Sequence, residues 1–281
     1  MASFIRYPGG KKKFLKIIKS KISELGKNCT NYREPFFGGG SVGLDILDNS
    51  DDDFDLLPKF KSFWINDKDV AMYALWLSVR DHHDSLKELV NSFIPSIEAY
   101  DEFKQYLLSL NDNTEINITE TAFKKIAIHQ ISYSGLGTKS GGPLGGRKQD
   151  ENTKYPINCR WSPSYICKKI DHYHKKFNDI EVKITNTDFD EIITTNSSNT
   201  FIYLDPPYYD KGGELYQHAF TVEDHERLSE LLKATNHKWL LSYDDMPEIR
   251  QLYSWAEITE ISANYSINGS QRKQELLIWP K

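Results

Sequence analysis

Phe201-Ile202-Tyr203-Leu204-Asp205-Pro206-Pro207-Tyr208 is the stretch that decides how this chain is read. Four apolar residues followed by Asp-Pro-Pro describe a buried strand that stops abruptly, because Pro206 and Pro207 have no N–H to continue a sheet ladder. Its last polar groups are then presented at the carboxyl edge of a sheet, where open α/β folds bind ligands. Those groups are the Asp205 carboxylate, the Pro206 carbonyl and the Tyr208 ring. Two acceptors and an aromatic face suit an exocyclic amine on a flat ring. The plainer alternative, a strand running into a proline-stiffened turn, loses weight once Tyr208 and the flanking segments are considered.

Outward from that strand, two kinds of pattern alternate. Phe14, Leu15, Ile17, Ile18, Ile22 and Leu25 have helical spacing and end at Gly26. Residues 61–66 read as a strand and 70–79 as the helix after it. Ile180 to Ile184 alternates as a strand, 224–232 as a helix, 238–243 and 276–279 as strands, with Asn196 to Thr200 a polar loop. Strand–helix alternation of this kind predicts an α/β fold, a mostly parallel sheet with helices on both faces. Residues 80–133 instead read as helices without strands. A glycine-rich loop follows at 134–147, then a helix from about 163 to 177. Domain organisation is therefore expected as 1–79 with 178–281, interrupted by an inserted domain at 80–177.

The 281 residues, 39 % hydrophobic and 13 % aromatic, are enough for a packed core and argue against wholesale disorder. No apolar run approaches the roughly 18 residues of a membrane span, and Met1 to Arg6 lacks the apolar core of a secretory signal. Cys29, Cys159 and Cys167 are too few and scattered for a disulfide framework or a zinc site. A reduced, cytoplasmic, metal-free protein is expected. Net charge is −5, yet residues 139–176 carry nine Lys and Arg against three acids, Asp150, Glu151 and Asp171. A locally basic face on an acidic body is compatible with phosphate contact. For Lys168 to Lys176 alone, a solvated helix face explains the charges equally well.

Three further segments carry chemistry. Glu34-Pro-Phe-Phe-Gly-Gly-Gly-Ser-Val-Gly43 satisfies G-x-G-x-x-G through Gly38, Gly40 and Gly43, a turn that lets backbone approach a nucleotide-bearing ligand, or simply a turn. Asp67 ends the next strand, as a ribose-hydroxyl acceptor or as a helix cap. Arg6-Tyr-Pro-Gly-Gly-Lys11 is a tight turn before a helix, with a lysine placed to meet a carboxylate.

In this order the segments resemble the Dam-like (D12 class, alpha-group) DNA adenine-N6 methyltransferases. Tyr7 to Lys11 is similar to that family's N-terminal cofactor motif, and Glu34 to Gly40 to its glycine-rich motif. Asp67 resembles its ribose-binding acid, Asn186-Thr-Asp188-Phe189 its segment against the cofactor adenine, and Asp205 to Tyr208 its catalytic tetrad. Residues 220–228 and 272–278 also match in kind and place. The resemblance covers about 1–78 and 178–281, with the insert fitting in position and helical character. It implies a Rossmann-like sheet that uses S-adenosylmethionine, with a mainly helical target-recognition insert. It further implies methylation of a flipped adenine in double-stranded DNA by a bacterial or phage-encoded monomer. Catalysis would fall to Asp205, Pro206 and Tyr208. The cofactor would meet Tyr7, Lys11, Phe36, Gly38, Gly40, Asp67, Asp188, Phe189 and Asp205. Lys139, Arg147, Lys148 and Arg160 are the candidate DNA contacts. The loop at 134–147 either orders on DNA or is a flexible connection.

The polar Asn31-Tyr-Arg33 predicts a short first strand, and the acidic run Asp51 to Asp55 a surface loop. No residue of the insert matches a base-reading position, which leaves the target sequence open. Three rival readings are weaker. An NAD-linked dehydrogenase explains G-x-G-x-x-G but not Lys11, Asp205 or Tyr208. Another acceptor amine (cytosine-N4, RNA adenine or a protein amide) keeps the reaction, though such enzymes more often resemble Ser or Asn at Asp205. A DNA-binding module that has lost catalysis is disfavoured because every motif keeps its chemical groups.

Overall fold

In the computed structural model of the chain, seven strands form one sheet in the order β3-β2-β1-β4-β5-β7-β6. They are β1 (Asn31–Glu34), β2 (Ser62–Asn66), β3 (Glu181–Thr185), β4 (Thr200–Leu204), β5 (Lys238–Asp244), β6 (Glu257–Ala263) and β7 (Lys273–Trp279). The structure describes residues 5–7, 9–49, 57–111, 114–209, 219–263 and 273–281. Pro8, the Asp51–Asp55 run and Arg272 lie outside them. The first five strands are parallel, and β7 runs antiparallel between β5 and β6.

Strand parity sorts the core into two layers, because successive side chains leave a strand on opposite faces. Phe201, Tyr203, Leu240 and Leu277 join one cluster, and Ile202, Leu204, Leu241, Leu276 and Ile278 the other. The first cluster also takes Ile18 and Ile22 of α1 (Leu15–Leu25), Leu44 of α2 (Gly43–Asp48) and Trp76 of α3 (Val70–Asp81). The second is covered by Ile193 of the helix Phe189–Thr194, Leu228 of the helix Val222–Ala234 and Ile249 of the helix Pro247–Leu252. Two buried faces explain why β4 reads as unbroken hydrophobic sequence.

Between α3 and β3, helices α4 (His83–Ser92), α5 (Ile97–Ser109), α6 (Ile118–Ile131) and α7 (Pro163–Asn178) follow without a described strand. Every residue of α6 from Thr121 onward is buried. Ala122, Ile126 and Tyr173 belong to the same cluster as the sheet residues Tyr32 and Phe63, so these helices and the sheet share one apolar core. Segment 134–147 is tied down by two short helical turns, Tyr133–Gly135 and Gly137–Lys139, and a bridge between Ser132 and Pro143.

Strand β1 is short, at four residues, but buried throughout its last three. Its polar groups are all engaged: Arg33 donates to the carbonyls of Ile192 and Thr195 at 2.7 Å each, and Tyr32 donates to Glu34 at 2.7 Å. Thr200, at the end of the expected polar loop, is the first residue of β4. Among the described residues no helix is long and apolar enough to cross a membrane.

Candidate active site

A cavity of about 840 Å³ opens at the carboxyl ends of β1, β2 and β4, with Tyr7, Phe36, Asp67, Asp188, Asp205 and Phe220 among its walls. Connections leave β1 and β4 in opposite directions along the sheet, and such a switch point leaves a crevice. The volume lies in the range of cofactor-sized pockets, roughly 300–1,000 Å³.

The glycine-rich turn forms one wall. Gly38 has φ +46°, and a Cβ there would lie 2.7 Å from the Tyr7 ring, so only glycine lets backbone and ring approach so closely. The Gly38 N–H donates to Asp67 Oδ2 at 2.6 Å, and the Asp69 N–H donates to Asp67 Oδ1 at 2.9 Å. Asp67 is thus not the cap of α3; Asp69 is, accepting from Ala71 N–H at 2.9 Å. Burial and the neighbouring Asp69 carboxylate push the Asp67 carboxyl up to about 7, against the pull of those N–H groups and Lys125. Lys125, from α6, pairs with Asp69 at 2.6 Å in the interior.

The far wall is aromatic. Phe36, Phe189 and Phe220 form a triangle with ring centroids 5.3–5.6 Å apart. Asp188 caps the helix Phe189–Thr194 through Asp190 N–H. Its two oxygens also receive Arg227, at 3.0 and 3.3 Å. Arg227 further pairs with Asp190 and Asp224 and lies 4.2 Å over the Phe189 ring. Together the cavity offers an aromatic end, a carboxylate near its middle and close backbone approach. These features fit a nucleoside-bearing ligand such as S-adenosylmethionine.

Behind Asp205 lies a buried polar cluster. Lys11 Nζ sits 2.6 Å from Asp205 Oδ1, 3.5 Å from Glu275 Oε2, and donates to Tyr208 Oη at 2.8 Å. Tyr208 in turn donates to Glu275 Oε1 at 2.8 Å, and Ser242 donates to Asp205 Oδ1 at 2.9 Å. Both contacts to Asp205 fall on Oδ1; no described residue bonds Oδ2. Burial raises the Asp205 carboxyl despite Lys11. Burial would lower the Lys11 ammonium, but Asp205, Tyr208 and Glu275 outweigh it and hold it well above its usual value. No described residue donates to the Pro206 carbonyl.

The predicted residues are not all on the wall. Tyr7, Phe36, Gly38, Asp67, Asp188, Phe189 and Asp205 line the cavity, whereas Lys11 and Tyr208 are buried beside it. Gly40 holds the turn at φ +68°. Lys139, Arg147, Lys148 and Arg160 are all exposed, outside the cavity. Arg147 is engaged by both oxygens of Asp101, at 2.8 Å each.

The family model of the D12 class N6 adenine-specific DNA methyltransferases matches residues 7–267. The chain belongs to this family. It is similar to three curated type II methyltransferases along nearly their whole lengths. It is 24 % identical to M1.LlaDCHI of Lactococcus lactis subsp. cremoris, over 95 % of this chain and 89 % of that one. It is 25 % identical to M.CviBI of Paramecium bursaria Chlorella virus NC1A, covering 94 % and 91 %. For M.MjaIII of Methanocaldococcus jannaschii the identity is 25 %, covering 98 % and 97 %.

Four groups around the site of this methyltransferase were given no role of their own in the sequence reading. Ser242 and Glu275 lie in strands, where the only signal was a polar residue inside an apolar run. Arg227 looked like an ordinary charge on a helix face. Arg6 lines the cavity, and its buried Nη1 has no hydrogen-bond partner among the described residues.

Proposed function

We propose that this methyltransferase moves a methyl group from S-adenosylmethionine to the N6 amine of an adenine turned out of double-stranded DNA, with Asp205 acting on the amine. What carries this reading is the one-sided grip on Asp205: Lys11 and Ser242 hold Oδ1, and among the described residues Oδ2 is left as an acceptor on a cavity-lining carboxylate.

Adenine's amine is a poor nucleophile because its lone pair is delocalised into the ring. Asp205 and the Pro206 carbonyl accept its two hydrogens, which favours a pyramidal nitrogen with the pair directed away from them. The positive charge that grows on nitrogen then meets fixed acceptors. Stacking of the base on Tyr208, worth about 1–3 kcal/mol against the few kcal/mol of unstacking, requires that ring to come out of its buried position beside the cavity. Bound S-adenosylmethionine supplies the electrophilic methyl. The chain's part is to hold it: Phe36 and Phe189 against its adenine, Asp188 at that ring's edge, Asp67 on the ribose, Gly38 and Gly40 by close backbone, and Tyr7 at the other end. Lys11 acts through Asp205.

Residues 80–177 are assigned to target recognition and 1–79 with 178–281 to catalysis. Lys139, Arg147, Lys148 and Arg160 supply phosphate contacts to a monomer working in the cytoplasm of a bacterium or a phage-infected cell. The test is expression in a methylation-free host with genome-wide mapping of modified adenines. Modified adenines in one sequence context with the wild type, and none with Asp205→Ala, support the reading. Modification by Asp205→Ala at near wild-type level overturns it.

A further inference from the structure

Glu275 is almost wholly buried, at 1 % exposure, on β7, within the segment 272–278 that matched in kind and place. It is the last acceptor of a directional chain in which Lys11 donates to Tyr208 and Tyr208 donates to Glu275. Its second oxygen faces the same ammonium at 3.5 Å. That second contact is an ion pair without a hydrogen bond. Lys11 thus stands between two carboxyl groups, Asp205 and Glu275.

We propose that Glu275 is a positioning residue for methyl transfer: through Tyr208 and Lys11 it keeps the ammonium on Asp205 Oδ1, so that Oδ2 is left for the reacting amine. The proposal rests on Asp205 being the group that acts on that amine. Lys11 has three N–H bonds to place. Tyr208 Oη and the Gly9 carbonyl accept from it at 2.8 and 3.4 Å, Asp205 Oδ1 lies at 2.6 Å, and Oδ2 stays an acceptor. Without Glu275, Tyr208 loses the acceptor at 2.8 Å and the ammonium loses an ion-pair partner, so the ammonium shifts toward Oδ2 and occupies it. The same substitution removes the negative charge that opposes ionisation of Asp205.

Asp205 is faced by Lys11 from the N-terminal turn, Glu34 from β1, Tyr203 from β4, Ser242 and Tyr243 from β5, Tyr208 from its own turn and Glu275 from β7. Of these, Lys11 lowers the Asp205 carboxyl and Glu275 raises it. Substituting Glu275 therefore has two effects of opposite appearance. The plateau rate falls, and the acid limb of the rate profile moves to lower pH. A merely structural loss lowers the rate without moving that limb downward.

The experiment uses the full chain, S-adenosylmethionine and genomic DNA from a methylation-free host, reading single-turnover methyl transfer across pH with cofactor affinity measured separately. Glu275→Gln is expected to lose on the order of tenfold or more in plateau rate, the scale of an outer-shell partner. Its acid limb should shift downward, and cofactor affinity should stay within about threefold. Tyr208→Phe keeps the ring and breaks the same link, so it should reproduce most of the rate loss. The double variant should be no slower than the slower single one, since both cut one chain. An unchanged plateau in both variants overturns the proposal, as does an additive loss or an acid limb that stays in place. If Glu275→Gln does not fold, Tyr208→Phe decides alone: a wild-type plateau overturns the proposal and a loss of that order supports it. These outcomes are separate from the parent reading, because Asp205→Ala abolishes transfer whether or not Glu275 acts through Lys11.

Discussion

Lys11 meets Asp205 on a single oxygen, at 2.6 Å, and does so from a position with no solvent exposure at all. A buried ammonium flanked by two carboxylates is removed only at high cost, because the anions left behind are uncompensated. Lys11→Met is expected to lower unfolding stability by about 3–5 kcal/mol, read by chemical denaturation. It also takes away the charge that favours ionised Asp205. The acid limb of the methyl-transfer profile should move to higher pH, opposite to the direction expected for Glu275→Gln.

Asp67 predicts a pH signature of its own. Its folded value, about 7, lies above the ordinary carboxylate value of 3.8. A raised carboxyl contributes stability that is fully present below the unfolded value and is lost as pH rises through the folded one. Asp67→Asn should therefore raise the melting temperature of the ligand-free protein at about pH 8 and change it little near pH 4. Ribose hydroxyls donate best to the ionised form, so wild-type affinity for S-adenosylmethionine should strengthen from about pH 6 to 8. By calorimetry, Asp67→Asn should bind weakly with a flat profile; a flat wild-type profile would remove Asp67 from ribose contact.

Lys125 and Asp69 join α6 to the cap of α3 inside the protein. Lys125→Met should cost about 3–5 kcal/mol of stability, because it removes the interior cation that faces the Asp69 carboxylate. Adding Asp69→Asn should recover most of that, since asparagine caps a helix about as well as aspartate. Denaturant midpoints of the two variants compare the outcomes directly.

Arg147 and Lys148 are neighbours in sequence with different standing. Arg147 is already neutralised by two bonds to Asp101. Lys148→Ala should weaken DNA binding uniformly across sequences and reduce the salt slope by about one phosphate. Arg147→Ala should do less, because the wild-type arginine must first release Asp101. Affinities titrated against salt concentration separate the two.

What the sequence disclosed, and what it hid, follows from where each residue's partners lie. Strand β4 was legible because it is apolar on both faces and ends on two prolines. Helix α3 and its preceding strand were legible because period and cap are local. Strand β1 was read as short and is, yet its burial was hidden: Arg33 is satisfied by carbonyls at Ile192 and Thr195, beyond the reach of any local pattern. Strand β6 went unread, since its alternating polar residues suit an edge. The carboxylates of the cavity were visible at strand ends. That Lys11 meets Asp205 and Glu275, and that Arg227 occupies Asp188, were not, because each pairing closes a loop of tens to hundreds of residues.

The apolar cluster that runs unbroken from Phe63 of the sheet to Tyr173 of α7 has an evolutionary corollary. Exchanging the helical segment wholesale between relatives would set a foreign inner side against this sheet and remove Lys125, the counter-charge for Asp69.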